Sequence, residues 1–282
     1  MSKIDWNNIT EAMKNMGKKS YTNEDQVANL YQPKMKDDGT YDAVIRFLPS
    51  PDTDLPFVLL YNHSYQSEST GKWMIDNCPV TIGRKCPVCE NASKLWNGGH
   101  KDDNTKKRFK KFSAYSNILV VKDPTNPENE GKVFVFRYGK KMFELIKSKI
   151  VPTSDIDEQL KVFDWKEGAN FKLRIRAKKT KTPTGEKTFP NYDSSEFSTP
   201  SPVGSDEYIS SVESQLHSLK SIIEDNGTRY KSFEQLANRL AFVEGYATKD
   251  ETPVASTSTS KAVEDTDGEE DEEGFFKRLR GE

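Results

Sequence analysis

The chain is poor in histidine and cysteine, with three of each in 282 residues. So few histidines narrow the room for acid–base chemistry. No Ser/His/Asp set and no paired-carboxylate pattern stands out. No apolar run approaches the ~20 residues needed to cross a bilayer. No Gly-rich phosphate loop of the Walker type occurs, and no internal repeat is visible. The start, Met1-Ser2-Lys3-Ile4-Asp5-Trp6, lacks the apolar core of a secretion signal. Hydrophobic residues make up 34% and charged residues 30%, with a mean hydropathy of -0.81. This is a polar, soluble composition whose length suits one large domain, or one domain with appendages.

The scarce cysteines are clustered. With one histidine they read H-x14-C-x7-C-x2-C, at His63, Cys78, Cys86 and Cys89. Cys86-Pro87-Val88-Cys89 is a tight knuckle whose two sulfurs can meet at one point. Three thiolates and an imidazole complete a tetrahedral zinc site with no open position, so such a site builds structure. One disulfide plus a free thiol, or a C-x-x-C redox pair, are the competing readings. Clustering opposes the first, and a third nearby cysteine opposes the second. His63, at the end of a predicted strand, is favoured as the fourth ligand. His100, eleven positions after Cys89, is the alternative. His217 falls in a predicted helix and reads as ordinary surface. Cysteines committed to metal fit a reducing cytosolic compartment.

The net charge of -2 hides an asymmetry. From Glu264 onward there are nine acidic and three basic residues, a balance of -6, so the preceding 263 residues carry +4. An acidic tail on a mildly basic body points to a nucleic-acid binder or to a chain with an interaction tail. The tail follows a linker-like Ser/Thr stretch over 253–260 and reads as solvated and disordered. It closes on Gly274-Phe275-Phe276-Lys277-Arg278-Leu279-Arg280, a disordered end or a short docking motif.

Strand-like runs dominate the middle, at 43–48, 56–61, 72–75, 117–121, 133–138 and 171–177. Turn signals between them predict a small barrel or sandwich. Helices are predicted over 142–150 and over 208–225. A further one, from a capping box at Ser232-Phe233-Glu234-Gln235, runs to about Val243. A short helix with Ile9, Met13 and Met16 on one face is predicted near the start.

Cations and aromatics are interleaved in the strand-rich region. Alternation puts Lys172, Arg174, Arg176 and Lys178 on one strand face, spaced about 6–7 Å apart. Between 172 and 187 the only acid is Glu186. Lys181 and Lys187 extend the patch. Two further stretches are Lys106-Lys107-Arg108-Phe109-Lys110-Lys111-Phe112 and Arg137-Tyr138-Gly139-Lys140-Lys141. Single-stranded nucleic acid needs both parts, cations for phosphates and flat rings for unstacked bases.

Several longer segments carry a family resemblance. They are Ala43-Val44-Ile45-Arg46-Phe47-Leu48-Pro49-Ser50, the Cys86–Cys89 knuckle, and Asn117-Ile118-Leu119-Val120-Val121-Lys122-Asp123-Pro124. With them go Pro127-Glu128-Asn129-Glu130-Gly131-Lys132-Val133-Phe134, Gly139-Lys140-Lys141, Glu167-Gly168-Ala169-Asn170-Phe171 and Asn191-Tyr192-Asp193. Over residues 40–200 the chain resembles the helix-destabilising, single-stranded DNA-binding proteins of the T-even bacteriophages. The resemblance implies a mainly β fold, an OB-fold barrel core with an inserted zinc-binding subdomain at about 63–111. Flanking helices and a disordered acidic C-terminal tail complete it. It implies a core over 21–248, a self-associating arm at 1–20, and a linker and interaction tail over 249–282.

By position, the resemblance makes His63, Cys78, Cys86 and Cys89 ligands of one structural zinc ion. It places Lys110, Lys111, Tyr115, Phe136, Arg137, Phe189 and Tyr192 at or beside DNA contacts. Lys140, Arg174 and Arg176 join them from the basic runs. The implied function is sequence-tolerant, non-enzymatic coating of single-stranded DNA in replication, recombination and repair, in the cytoplasm of the infected bacterial host. Implied partners are neighbouring copies along DNA and, through the tail, replication and recombination proteins, with no membrane contact. A zinc-containing duplex-DNA or RNA regulator and a zinc-dependent nucleic-acid enzyme are the alternatives. The chain departs from the family in three places, one of them a shorter tail that ends in the basic-aromatic motif at 274–280. Ala114-Tyr115 stands where an aromatic pair is expected, with Phe109 and Phe112 as possible substitutes. The arm's nearest basic run, Lys18-Lys19-Ser20, sits at its far end.

Overall fold

A computed structural model describes residues 27–246, apart from positions 153, 155, 157, 183 and 184, with 180–182 and 185–187 described as backbone alone. The arm expected at 1–20, the linker and acidic tail expected at 249–282, and the side chains of Lys181 and Lys187 lie outside the described residues.

Eight strands are described: β1 (Thr40–Phe47), β2 (Val58–Gln66), β3 (Trp73–Asn77), β4 (Lys111–Lys122), β5 (Val133–Tyr138), β6 (Ala169–Thr182), β7 (Gly185–Asn191) and β8 (Glu196–Pro200). They form one antiparallel sheet of order β3-β2-β4-β1-β6-β7, with β5 added on β4 and β8 on β6. β4 is the spine. Its first half pairs with β2, its second half with β1, and its opposite edge with β5. Among the described residues six α-helices accompany the sheet: α1 (Pro87–Asn97), α2 (Asp103–Arg108), α3 (Lys140–Ile150), α4 (Asp206–Glu213), α5 (Lys220–Ile223) and α6 (Phe233–Glu244). Among the described residues, no helix is long and apolar enough to cross a membrane.

Strand alternation builds the main core. Tyr41, Ala43, Ile45 and Phe47 of β1, Phe171, Leu173 and Ile175 of β6, and Ala114, Ile118 and Val120 of β4 face one interior. Phe136, Tyr138 and the α3 residues Met142, Phe143, Ile146 and Ile150 close it. The opposite face of β2, β4 and β5 is also covered. Val58, Leu60, Tyr115 and Val135 lie under Leu219, Ile222 and Tyr230.

The single helix predicted over 208–225 is two helices. Asp52 explains the break: its carboxylate accepts hydrogen bonds from the Leu219 and Lys220 amides and from the Ser218 hydroxyl. These bonds start a new turn and stop the old one from continuing. His217, expected as ordinary surface, clamps the intervening segment to the sheet. Its amide donates to Asn117 Oδ1 at 3.0 Å, its carbonyl accepts from Asn117 Nδ2 at 2.9 Å, and its Nε2 lies 2.9 Å from the Val133 carbonyl. The capping box at Ser232 and Gln235 is formed as predicted, and Gly245 ends α6 at φ 73°.

One tight point lies outside the sheet. Arg46, fully buried, donates to the Asp164 carbonyl at 2.8 Å. A Cβ at Gly168 would sit 2.6 Å from that carbonyl oxygen and 2.8 Å from Arg46 Nη2. Gly168→Ala is therefore expected to destabilise the chain by about 1–3 kcal/mol, read as a lower midpoint in urea with an unchanged slope.

Candidate metal centre and nucleic-acid interface

The β2–β3 hairpin and α1 bring the cysteine cluster together. His63 sits in the middle of β2 opposite Asp76 of β3, not at a strand end as expected. Cys78 follows β3 and donates its amide to the Tyr61 carbonyl at 2.8 Å. Cys86 is the extended N-cap residue of α1, Pro87 holds the first helical position, and Cys89 lies one turn in. The knuckle is thus the opening turn of a helix. Its i, i+3 spacing aims both sulfurs at one side.

The four ligand atoms all lie within 4.8 Å of one another. Cys78 Sγ is 3.5 Å from Cys89 Sγ, and His63 Nε2 is 3.4 Å from Cys86 Sγ and 3.5 Å from Cys89 Sγ. No disulfide is present among them. A zinc–sulfur bond of about 2.3 Å gives a tetrahedral edge near ~3.8 Å, so the set fits one ion. His100 is exposed beyond α1 and takes no part.

His63 Nδ1 lies 2.9 Å from the Arg108 carbonyl. A carbonyl only accepts, so Nδ1 carries a proton, and Nε2 is the ring nitrogen turned toward the cysteine sulfurs. Charge points the same way. Hydrogen bonding from Cys78 and Cys89 holds the Cys86 thiol far below its usual range, and the same crowding pushes Cys89 far above it. Three sulfurs this close cannot all ionise unaided; a divalent cation removes the conflict.

α6 lies across this lobe, which the expected limits of about 63–111 do not include. Leu236 and Val243 pack with Tyr65, Met74, Cys78, Cys86 and Val88. Both ends of the helix are tied by buried carboxylates. Asp76 of β3 is paired with Lys231 and Arg239. Glu244 is paired with Arg108, and it accepts hydrogen bonds from Tyr65 Oη at 2.9 Å and Ser67 Oγ at 3.0 Å. Arg108, which the sequence places in a basic run, is therefore a buried structural cation. An acid on the apolar last turn of α6, beside Val243, is a weak signal for this in the sequence.

The expected DNA-contacting residues divide into several groups. Lys140, Phe189 and Tyr192 line one groove of about 500 Å³, together with Gly139, Lys141, Met142 and Lys178. Phe189 is 46% exposed, while Tyr192 is partly buried against the main core. Lys141 and Lys178, which the sequence places in the basic runs, complete the groove's charge.

Lys110 and Lys111 stand apart from this groove. Lys110 Nζ lies 4.6 Å from the Tyr61 ring centre, and Lys111 Nζ donates to the Ser64 carbonyl at 2.9 Å. A chain of ring contacts runs from Tyr61 to Phe112 at 6.3 Å and from Phe112 to Phe143 at 5.4 Å, next to groove-lining Met142. Arg137 is half-buried, its Nε donating to Ser113 Oγ at 3.0 Å.

Two of the expected stacking rings face inward. Tyr115 and Phe136 are each 3% exposed. Tyr115 is covered by α5 and Tyr230, and Phe136 stacks on Tyr138 in the main core at 5.7 Å. Neither offers a base an open ring face. The sequence could not show this, because both faces of β4 and β5 are covered.

The β6 cations also differ from expectation. Arg176 is paired with Asp42 at 2.7 Å, and Glu196 takes Arg174 at 3.1 Å and Lys172 at 3.3 Å. The acids come from β1 and β8, so the face mixes signs although β6 alone does not.

A family profile described as gp32 DNA binding protein like matches residues 39–244. Two relatives carry the name single-stranded DNA-binding protein. That of Enterobacteria phage T2 is 37% identical over 252 residues, covering 87% of this chain and 78% of the relative. That of Enterobacteria phage T4 is 37% identical over 253 residues, covering 87% and 79%. On a match of this extent, the chain belongs to the gp32-like family of DNA-binding proteins.

Proposed function

We propose that this chain coats single-stranded DNA with little regard to sequence and without catalysing a reaction. The observation that carries the reading is the groove. It puts an exposed ring, Phe189, and a second ring, Tyr192, beside Lys140, Lys141 and Lys178. Rings stack unstacked bases of any identity, and cations follow the phosphates. Lys110 and Lys111 add cations beside Tyr61 and Ser64 of β2, the strand that carries His63, apart from the groove. Edge-specific readers of duplex DNA have less use for open rings.

The sheet is read as an OB-type barrel and the cysteine lobe as its zinc-bearing insertion. His63, Cys78, Cys86 and Cys89 would hold one zinc ion, which supplies a fixed tetrahedral crosslink. Four protein donors leave no place for a reactive water, which supports a structural role. Self-association along DNA, recruitment of replication and recombination proteins through the acidic tail, and residence in the host cytoplasm belong to the same reading.

Titration of a homopolymeric single strand at several salt concentrations tests it. Affinity is expected to fall with salt at a log–log slope of about -0.7 per phosphate neutralised. Tyr192→Ala and Phe189→Ala are each expected to weaken binding by about 1–3 kcal/mol. A flat salt profile together with full-strength binding by Tyr192→Ala would sink the proposal. Preference for duplex DNA or RNA in competition would favour the regulator alternative.

A further inference from the structure

Outside the groove, the opposite end of β6 carries a second cationic hollow. Its volume is about 220 Å³, and its lining includes Lys122, Lys172 and Arg174 around Val44 and Pro124, with Asp42 at its margin. Register explains the grouping. Val44 of β1 lies directly opposite Lys122 of β4 on one side and Lys172 of β6 on the other, and Asp42 lies opposite Arg174. Lys122 is exposed at the end of β4. Cations from two strands thus meet over a small apolar floor.

The hollow and the groove lie on one strand. By alternation Lys172, Arg174, Arg176 and Lys178 project from the same face of β6. Lys178 lines the groove, whereas Lys172 and Arg174 line the hollow. The run covers about 20 Å at roughly 3.3 Å per residue. Glu196 and Asp42 are the only acids paired with these cations among the described residues. Those pairs are solvent-exposed and weak, so a phosphate can displace them. With Lys122 the track holds five cations against two acids.

We infer that this track is a second phosphate-binding segment, which takes the DNA strand as it leaves the groove past Lys178 and carries it to the hollow at Lys122, Lys172 and Arg174. It rests on the single-stranded DNA reading and extends its footprint. The floor offers no ring, so the track grips backbone and leaves bases unread.

The test compares a short oligothymidylate of about five nucleotides with one of about twelve, lengths chosen within the usual site-size range. The triple variant Lys122→Gln/Lys172→Gln/Arg174→Gln should bind the short probe as the unaltered chain does. It should bind the long probe about 10–100-fold more weakly, with a salt slope smaller by about 2. Glu196→Gln, which unmasks Lys172 and Arg174, should tighten the long probe alone. Lys122→Glu supplies a single exposed change if the triple variant folds poorly. Equal losses on both probes, or none on either, would overturn the track. An unaltered chain that binds neither probe would overturn the groove reading and the track with it.

Discussion

Cys86→Ser, or stripping the metal with a strong chelator, is expected to unfold the lobe built on β2, β3 and α1. The chain should purify with one zinc per molecule, and the variant should lose it. Structural zinc sites contribute on the order of 10–16 kcal/mol of apparent binding free energy in small peptides. That is comparable to the roughly 10–20 kcal/mol that burial of the seven-residue apolar cluster including Cys78 and Cys86 supplies before entropy costs, so losing the ion removes a large share of the lobe's stability. The defect should stay local at first. The main core takes none of the four ligands, so far-ultraviolet signal from the sheet should survive while the loops at 67–72 and 83–86 become cleavable by protease. His100→Ala, outside the cluster, should keep the metal. A protein with no bound metal, and with a melting curve indifferent to chelator, would defeat the assignment.

Much of this centre was legible because ligand spacing is a one-dimensional signal. H-x14-C-x7-C-x2-C named the cluster, and the structure brings those four residues together. The core strands were legible for a similar reason. The run at 133–138 coincides with β5, and 171–177 lies inside β6. What failed depended on partners far away in the chain. The Tyr115 and Phe136 rings looked available because nothing within β4 or β5 tells that Leu219, Ile222 and Tyr230 lie over one and the main core closes on the other. The β6 cations looked unopposed because Asp42 and Glu196 come from other strands. α1 was read as a knuckle because Pro87 resembles a turn residue as much as a first helical residue. The groove is partly legible: Lys140, Phe189 and Tyr192 are among the expected contacts, and Lys141 and Lys178 belong to the basic runs.

The second large effect belongs to Glu244. Its side chain is 3% exposed and that of its partner Arg108 is 8% exposed. Glu244→Ala leaves the guanidinium buried without a counter-charge and removes the acceptor of Tyr65 and Ser67. A loss of about 3–5 kcal/mol is expected. At roughly 2–4 °C per kcal/mol for a chain of this size, the melting temperature should drop by about 10 °C. The double variant Arg108→Met/Glu244→Leu should recover much of the loss, because removing both charges also removes their desolvation cost. A thermal melt of the four members of that cycle reads the coupling directly. A single variant within about 0.5 kcal/mol of the parent would show that Arg108 finds water instead.

The placement of α6 has a consequence for how the protein is made. The four candidate metal ligands are all present once residue 89 is synthesised, yet two of the apolar residues that seal them, Leu236 and Val243, arrive roughly 150 residues later. A nascent chain on the ribosome therefore carries the cysteine cluster with one side open for most of its synthesis, about ten seconds or more at typical elongation rates. Metal can enter during that interval without displacing packed structure, and the arrival of α6 then closes the lobe. The pair between Arg108 and Glu244 joins the lobe to the last described helix. Such distant closure slows folding, and it makes an intact metal lobe a signature of a chain translated at least as far as residue 244.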